Sequence, residues 1–403
     1  MASPRIAPVA LVELELDRPV ASLDGLGHAV EAEALVRRRG EPVGWVRLPV
    51  MGSSCSAEEI RATLDRVALP APRPTAASRE LSVTVAVCTR DRPEELPRCL
   101  DSLDRSEYSA FEVLVVDNAP SSEATRLLVE RRGPRTRYVR EARPGLDWAR
   151  NRAIAEASGE VIAFTDDDVE VDPRWIRALV SCFTADETVA AVTGLVLPSE
   201  LETEAQVLFE RYRSFGRGFT PRRISPSTRG PIARRYGAAG DYGTGANMAF
   251  RRSLFERVGH FDPALDVGTP TRGGGDLEMF FRLLKAGHVL VYEPRAIVRH
   301  RHRRSMEALK GQIEDHGVSF SAYMVRSALA YPDERWGFAW LACWWWAKTA
   351  FRMLCPKAHP TRPLRRLGLA ELRGCVVGLT RYPMAKRAAA RLAALPLRSE
   401  TRA

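Results

Sequence analysis

The chain has 403 residues, of which 45% are hydrophobic and 27% are charged, so it can form a full core and is not a disordered protein. Its seven cysteines are scattered, odd in number and without a CxxC pair, which argues against a disulfide framework or a zinc site. The net charge is +10, and residues 356–403 hold 11 Lys and Arg against 2 Asp and Glu, so the rest of the chain is close to neutral.

The first 67 residues are predicted to form a small accessory α+β domain. "PVALVELEL" and "GWVRLPV" predict strands, and "SAEEIRATLDRV" predicts a helix with Ser56 as N-cap and Glu59 completing a capping box. Acidic residues interrupt the apolar N-terminal stretch early, so no secretory signal is expected. Residues 68–80 are rich in Pro and Ala, which predicts a linker.

From Leu81 the chain alternates apolar runs with helical patterns. "LSVTVAVCT", "FEVLVVD", "VIAFT" and "VAAVTGLVL" predict strands, whereas "PEELPRCLDSL", with Pro93 near its first turn, and "DWARNRAIAEASG", with Asp147 as N-cap, predict helices. This alternation predicts an α/β fold with a mostly parallel sheet flanked by helices. Ligands of such sheets bind at the carboxyl ends of the strands. The long Gly- and Arg-rich loop over residues 221–245 is a predicted lid.

The C-terminal region combines a tryptophan cluster with a basic tail. Five of the eight tryptophans fall in "RWGFAWLACWWWAKTAF", whose charge-free run is shorter than the roughly 20 residues that span a bilayer. A core or dimer helix, a helix in the membrane interface and a spanning segment are the alternatives. A basic tail behind a neutral domain indicates an anionic surface such as a membrane, and not a nucleic acid. We therefore expect a cytoplasmic protein. The basic tail favours a peripheral position at the inner face of the membrane as the alternative.

Polar residues at the predicted strand ends are the first candidates for ligand binding. The first strand ends at Thr89, followed closely by Arg92, and the second ends at Asp117. An acid at such a position can accept hydrogen bonds from a nucleoside, or it can be a turn or cap residue. No GxGxxG motif follows the first strand, which weakens a dinucleotide-binding interpretation.

Three consecutive carboxylates, Asp166, Asp167 and Asp168, follow the apolar strand "VIAFT". Two carboxylates separated by one residue can approach one ligand, and Mg²⁺ and Mn²⁺ prefer oxygen ligands and bridge carboxylates to a diphosphate. The alternative is a solvated loop that caps the next helix. Because Asp172 is available for that cap, a metal or substrate site is the favoured interpretation.

Two further features lie downstream. Asp276 begins a helix behind three glycines, as either a functional acid or a helix cap, with Glu278 as the fallback acid. In "VRHRHRR", His300 and His302 would share one face of a strand, where a neutral imidazole could complete a metal site begun by Asp168. A basic loop that binds phosphate is the alternative.

Taken together, these segments resemble the family 2 glycosyltransferases, which have the GT-A fold. The resemblance runs from about Val83 to Ser305. It rests on four segments that stand in the family's order and at its usual spacing: "CTRDRPEELPRCLDSL", "VLVVDNAP", "ARNRAIAEASGEVIAFTDDDV" and "GGGDLEMFFRLLKAGH". "PGLDWARN" and "GTGANMAFRR" resemble a subgroup. The resemblance implies a glycosyltransferase domain over residues 81–305, followed by a helical region over 306–403.

The resemblance also implies roles for individual residues. Thr89 and Asp117 match positions that hold the nucleoside, and Arg143 or Arg150 would lie near the base or the diphosphate. Asp166 and Asp168 match the ends of the family's D-x-D motif, with Asp166 towards the ribose. The donor-binding residues implied in this way are Thr89, Arg92, Asp117, Arg143, Arg150, Asp166 and Asp167.

The remaining roles concern the metal and the chemistry. Asp168 and His300 would bind Mg²⁺ or Mn²⁺, with His302 as a nearby alternative, and Asp276 matches the catalytic base. The implied reaction is an inverting, single-displacement transfer from a nucleoside-diphosphate sugar to an acceptor hydroxyl. The acceptor stays unknown, with lipid-linked and polysaccharide acceptors as the alternatives. Many relatives have Glu where this chain has Gly275, so an acidic neighbour of the base is missing.

Two rival functions stay open at this point. A nucleotidyltransferase would also use clustered carboxylates and a divalent metal, although "CTRDRP" lacks the glycines that such an enzyme typically has after its first strand. A membrane-docked scaffold that retained the fold without activity is the other, and the presence of Asp168, Asp276 and His300 together argues against it.

Overall fold

The computed structural model describes residues 7–71, 79–228, 241–354 and 362–394. Most of the predicted linker (72–78), the centre of the predicted lid (229–240) and the end of the basic tail (395–403) therefore lie outside the described residues.

A three-stranded sheet forms the N-terminal part of the molecule. β1 (Val9–Glu15) is parallel to β2 (Glu31–Arg38), which pairs antiparallel with β3 (Glu41–Pro49), and helix α1 (Ala57–Asp65) packs on β3. The predicted capping box is present, because Ser56 and Glu59 exchange hydrogen bonds between side chain and backbone at 3.0 and 3.2 Å. This unit has its own hydrophobic cluster, while its division from the rest at residue 67 stays a prediction.

A nine-stranded sheet lies at the centre of the described chain, and it confirms the predicted α/β fold class. The strand order is β10–β12–β9–β11–β7–β4–β5–β6, with β8 paired to β12. β7, β4, β5 and β6 are parallel neighbours, β9 is parallel to β12, and β11 runs antiparallel between β7 and β9. The strands are β4 (Val83–Thr89), β5 (Phe111–Asn118), β6 (Thr136–Glu141), β7 (Val161–Asp166), β8 (Val169–Val171), β9 (Val189–Pro198), β10 (Arg222–Ile224), β11 (Asn247–Arg251) and β12 (Val289–His300).

Helices cover this sheet because successive side chains of a strand point to opposite faces. On β4, Val85 and Val87 pack into one hydrophobic cluster, whereas Ala86 and Cys88 pack into another. The helices of this region are α2 (Leu96–Asp104), α3 (Ala124–Glu130), α4 (Leu146–Glu156), α5 (Trp175–Ala185), α6 (Glu204–Arg213), α7 (Leu254–Val258) and α8 (Gly275–Lys285).

The register of the parallel strands brings their carboxyl ends to one edge of the sheet. Thr89 is opposite Asp117 in the β4–β5 pair, and Cys88 is opposite Asp166 in the β4–β7 pair. The polar residues at the three strand ends therefore meet at this edge, as expected for a parallel sheet.

Two predicted helix starts are wrong. Helix α2 begins at Leu96 and not near Pro93, since residues 93–95 form turns and Pro97 lies in the first helical turn. Asp147 is not the N-cap of α4, because the cap is Gly145, whose φ of 139° favours glycine. The carboxylate of Asp266 instead accepts the N–H groups of Leu146 and Asp147 at 2.7 and 2.8 Å, so a distant side chain caps this helix.

The C-terminal region is helical, with α9 (Met306–Ala330), a 3₁₀ turn (Pro332–Glu334), α10 (Arg335–Leu354), α11 (Arg362–Gly378) and α12 (Arg381–Ala393). Helices α9 and α11 approach closely through glycines: a Cβ on Gly374 would lie 2.0 Å from the Glu314 carbonyl oxygen. The tryptophan cluster lies on helix α10. Within the described ranges, no helix is both long enough and apolar enough to cross a membrane.

Candidate functional site

Three side chains that could hold a metal ion meet at the carboxyl edge of the sheet. Asp166 ends β7, Asp168 follows two residues later, and His300 ends β12; their nearest ligand atoms all lie within 4.8 Å of one another. The short strand β8 brings this about, because it pairs Val169 with His300 directly after the acids. His300 Nε2 is 3.4 Å from Asp168 Oδ1.

The chemistry of this cluster suits a divalent cation. Burial lowers the pKa of His300 to about 4, so its imidazole is neutral at neutral pH and keeps a lone pair for a metal. Burial, followed by the charge of Asp168, raises the pKa of Asp166. A cation between them would offset this repulsion, and two carboxylates with one imidazole form an acceptable donor set for it.

Asp167 faces away from this cluster. Its Oδ2 accepts a hydrogen bond from the Thr89 hydroxyl at 2.7 Å, and its Oδ1 lies 3.1 Å from Arg92 Nη1. The same Arg92 nitrogen is 3.3 Å from Asp168 Oδ2. Asp167 is 4% exposed. Because it contacts both Thr89 and Arg92, it links the end of β4 to the acidic cluster.

The other predicted donor-binding residues line the same edge around β5. Asp117 is buried; its Oδ2 accepts the Tyr138 hydroxyl at 3.1 Å, and burial raises its pKa to about 6. Its Oδ1 has no hydrogen-bond partner within the described part of the chain. The Arg143 guanidinium pairs with Glu141 at 2.7 Å and lies 4.0 Å from the centre of the Trp148 ring.

Arg150 lies deeper, beneath the acidic cluster. It is 6% exposed and donates a hydrogen bond to Asp147 Oδ1 at 3.0 Å. Burial by itself would lower the pKa of Arg150, but the charges of Asp147, Asp166 and Asp276 together raise it. Sequence reasoning missed the roles of Asp147 and Asp266 here. The only signal for Asp147 was its position in "GLDWARN", and nothing local pointed to Asp266.

Asp276 lies in the first turn of α8, next to this charged group. Its Oδ2 accepts the Gly245 N–H at 2.8 Å and its Oδ1 accepts the Leu277 N–H at 2.9 Å, so two backbone donors orient the carboxylate. A Cβ on Gly245 would lie 2.4 Å from Arg150 Nη2. The fallback acid Glu278 is buried elsewhere, where it pairs with Arg282 and Arg326 at 2.5 Å.

Gly275 has no room for a side chain. A Cβ at this position would lie 1.8 Å from Asp147 Oδ2. The carboxylate of Asp147 therefore occupies the space beside Asp276 that a side chain at position 275 would need.

A second histidine extends the metal cluster away from the sheet. His302 Nδ1 lies 3.2 Å from His300 Nδ1, and His302 Nε2 lies 2.6 Å from Glu210 Oε1 of helix α6. The His302 ring is buried and packs 4.6 Å from the centre of Phe209. His300, and not His302, is thus adjacent to Asp168, and Glu210 is a residue that the sequence did not indicate.

A cavity of about 510 Å³ adjoins this site between the sheet edge and the C-terminal helices. Asp276 and Thr244 line one side of it, and Phe320, Trp344 and Trp345 line another. Phe215 also lines it and stands 5.5 Å from His300, ring centre to ring centre. Asp276 therefore faces the cavity, whereas Asp166, Asp168 and His300 are not among the residues that line it.

Comparison with known proteins identifies relatives of this chain. Residues 84–259 match the family model described as Glycosyl transferase family 2. The O-antigen biosynthesis protein RfbC of Myxococcus xanthus is 30% identical over 60% of this chain and 19% of its own length. The pre-mycofactocin glycosyltransferase of Mycobacterium tuberculosis is 27% identical over 76% of this chain and 64% of its own length. The chain thus spans less than two thirds of each of these relatives.

Two solved structures also match parts of this chain. The mannosyltransferase PcManGT from Pyrobaculum calidifontis, in complex with GDP-Man and Mn²⁺, matches with a TM-score of 0.45 and 20% identity over 84% of this chain and 82% of that one. GalNAc-T7 with UDP, GalNAc and Mn²⁺ matches with a TM-score of 0.44 and 17% identity, over 65% of this chain and 56% of that one.

Proposed function

We propose that the chain is a family 2 glycosyltransferase, whose model residues 84–259 match, and that it transfers a sugar from a nucleoside-diphosphate sugar to an acceptor hydroxyl. The observation that supports this most directly is the meeting of Asp166, Asp168 and His300 close to Asp276, a carboxylate that lines a cavity. A metal-assisted donor site and a base facing an acceptor are the two parts that such a transfer needs.

The proposed metal ligands are Asp168 and His300, with Asp166 within reach of the same ion. We propose Mg²⁺ or Mn²⁺, since carboxylate oxygens suit both ions. When bound, either ion supplies positive charge that offsets the negative charge developing on the leaving diphosphate.

The donor would lie along the carboxyl ends of β4, β5 and β7. Asp117 offers a carboxylate oxygen without a partner in the described chain, so an N–H or O–H of the nucleoside could satisfy it. Arg143 and Arg150, which pair with Glu141 and Asp147, are the proposed cations near the base or the diphosphate. Thr89 and Asp167 bind each other, so we propose that they act on the donor by fixing Arg92.

Asp276 is the proposed catalytic base. Its carboxylate would remove the proton of the acceptor hydroxyl as that oxygen attacks the anomeric carbon. A single displacement of this kind inverts the anomeric configuration. The hydrogen bonds from Gly245 and Leu277 support this role because they keep the carboxylate oriented before the acceptor arrives.

We also propose that the C-terminal helices rest on an anionic membrane surface. The outward face of α10 is apolar and includes Trp336, Trp340 and Phe351, which are 86%, 44% and 66% exposed. Over the described parts of α10, α11 and α12, Glu371 is the single acidic residue and it is buried, whereas basic residues such as Arg366, Arg373 and Lys386 are exposed. Exposed tryptophans with basic neighbours favour the lipid headgroup region.

Donor binding tests the central proposal. UDP-, GDP- and dTDP-sugars should each be added with Mn²⁺ or Mg²⁺, and unfolding temperature and donor hydrolysis measured. We expect at least one donor to raise the unfolding temperature of the wild type, and Asp168→Ala to abolish that shift. Asp101→Ala, an exposed acid on α2, is the matched control. A wild type that responds to no donor, or an Asp168→Ala variant that responds as the wild type does, would contradict the donor site.

A further inference from the structure

The cavity beside Asp276 is built largely by parts of the chain that lie beyond the family match of residues 84–259. Helix α9 contributes Ser319 and Phe320, and helix α10 contributes Leu341, Trp344 and Trp345. The rings of Phe320, Trp344 and Trp345 form one aromatic wall. The ring centres of Phe320 and Trp345 are 4.8 Å apart, and those of Trp344 and Trp345 are 6.3 Å apart. The family match therefore says little about what this wall contacts.

The opposite end of the cavity is polar and reactive. Thr244 and Asp276 both line it, and the backbone N–H of Gly245, next to Thr244, holds the Asp276 carboxylate. The buried Thr244 hydroxyl has no hydrogen-bond partner among the residues that the structure describes. A ligand hydroxyl placed between Thr244 and Asp276 would satisfy it.

The aromatic wall continues to the outside of the molecule. Trp344 is 36% exposed and stacks on Trp340, with 6.2 Å between ring centres and 11° between the ring planes. Because Trp340 lies one helical turn from Trp344, the two form an apolar path from the cavity to the outward face of α10. One surface thus connects the proposed base with the face that we assign to the membrane.

We propose that this cavity binds an amphiphilic acceptor, with its hydroxyl-bearing head group at Thr244 and Asp276 and its apolar chain against Trp345, Trp344 and Trp340. The proposal rests on the glycosyltransferase function above and names the chemical class of its acceptor as a hydroxyl carried on a lipid. A volume of about 510 Å³ is sufficient for a head group together with the first part of a chain.

The polar groups on the aromatic side favour a lipid over a soluble glycan. A glycan site needs several side-chain donors and acceptors to meet sugar hydroxyls. The carboxylate of Glu371 accepts the Tyr212 hydroxyl at 2.6 Å and forms an ion pair with Arg213. The ammonium group of Lys348 lies over the Trp344 ring, 4.6 Å from its centre. These groups are engaged with the protein, whereas Arg217, Asp241 and His316 also line the cavity, so a ligand meets both aromatic and polar side chains, as an amphiphilic molecule requires.

The test compares a sugar with and without an alkyl chain on the full-length protein. Dodecyl-β-D-maltoside with a brominated chain, below its critical micelle concentration, is titrated while tryptophan emission is followed, and maltose and maltoheptaose are titrated in parallel. We expect saturable quenching by the brominated probe and no change with either free sugar. In Trp344→Ala the titration midpoint should rise about tenfold, because the chain loses one large aromatic contact.

Leu127→Ala is the control, since Leu127 is an exposed apolar residue of α3 that does not line the cavity, and its midpoint should stay within about twofold of the wild type. Trp344 is part-exposed, so its replacement should leave the protein folded. Equal midpoints in the two variants, or binding of maltoheptaose as tight as that of the alkyl maltoside, would overturn the proposal. Nucleotide-sugar thermal shifts on the same sample separate the two claims: if they persist, only the acceptor class has failed, and if they are also absent, the donor site has failed.

Discussion

The Nδ1 atoms of His300 and His302 lie 3.2 Å apart, so one ring donates a hydrogen bond to the other. His302 Nε2 is 2.6 Å from Glu210 Oε1, where an ionised carboxylate accepts a hydrogen bond from an Nε2–H group. In the tautomer that carries a proton at Nε2 alone, His302 accepts at Nδ1 and His300 donates from its own Nδ1. This leaves the lone pair of His300 at Nε2, the atom that faces Asp168 at 3.4 Å. Glu210 and His302 are therefore positioning residues for the metal ligand.

The first prediction follows from this chain of hydrogen bonds. Glu210→Gln and His302→Gln should each weaken Mn²⁺ binding by about tenfold, because the tautomer and the ring orientation of His300 are no longer fixed. The measurement is the Mn²⁺ dissociation constant from electron paramagnetic resonance, with the unfolding temperature of the metal-free protein beside it. His260→Gln, at a ring that stacks on Phe255, is the control. Unchanged Mn²⁺ affinity in both variants would show that the contacts serve packing only.

The second prediction separates chemistry from binding. Asp276→Asn should lower sugar transfer by about 10²- to 10⁴-fold, because the amide cannot take the acceptor proton. Donor binding should persist, since Asp276 is not among the proposed metal ligands. The thermal shift caused by a donor with Mn²⁺ and the single-turnover transfer rate are the two measurements. Asp315→Asn, an exposed acid of α9, is the control. A variant that transfers sugar within a few-fold of the wild-type rate would exclude Asp276 as the base.

The third prediction concerns Gly275. Gly275→Ala should destabilise the protein by about 2 kcal/mol, because the new methyl group would lie 1.8 Å from Asp147 Oδ2 and must displace that carboxylate. The double variant Gly275→Ala with Asp147→Ala should lose less stability than the sum of its two single variants, since the clash is then absent. Urea unfolding of the four proteins measures this coupling. Strict additivity would mean that the two residues do not compete for this space.

Much of the site follows from local sequence because strands and their ends leave clear patterns. The apolar run before Asp166 predicted a strand that ends at the acids, at the ligand-binding edge of the sheet.

Other parts of the site depend on tertiary packing, which the sequence does not display. Asp266 caps α4 and Glu210 binds His302 across large sequence separations, and neither residue belongs to a local pattern. The α10 tryptophans illustrate the same limit, because a run of apolar residues does not say which face packs inward. Trp345 lies in the cavity wall, whereas Trp336 is almost fully exposed.

The fourth prediction tests the proposed membrane surface. The full-length protein should bind vesicles that contain phosphatidylglycerol more tightly than vesicles of phosphatidylcholine alone, and 0.5 M salt should weaken this binding. Trp336→Asp should reduce binding about tenfold, because a charge replaces an exposed ring at the outward face of α10. Leu127→Asp is the control, as it places the same charge on an exposed apolar residue of α3. Vesicle binding that is absent in the wild type, or equally reduced in both variants, would contradict this surface.

The fifth prediction concerns stability in acid and depends on Glu112 of β5. Burial by itself would raise the pKa of Glu112, but hydrogen bonds from Arg137 at 2.9 Å, Ser158 at 2.7 Å and Thr84 at 2.8 Å outweigh it and lower the pKa from 4.5 to about 2. Since the pKa in the folded state is depressed, this carboxylate stabilises the protein above pH 4.5, and its contribution is lost as the pH falls towards 2.

Glu112→Gln should therefore lower the free energy of unfolding by about 2 kcal/mol at pH 7, because three donors lose an ionised acceptor. As the pH falls below 4.5, the difference from the wild type should shrink, and it should be largely gone near pH 2. Urea unfolding at a series of pH values measures both quantities. Glu130→Gln removes an exposed ion pair with Arg126 and should change stability by less than about 0.5 kcal/mol at every pH. A Glu112→Gln deficit that stays constant from pH 7 to pH 2 would mean that lost packing, and not lost charge, causes it.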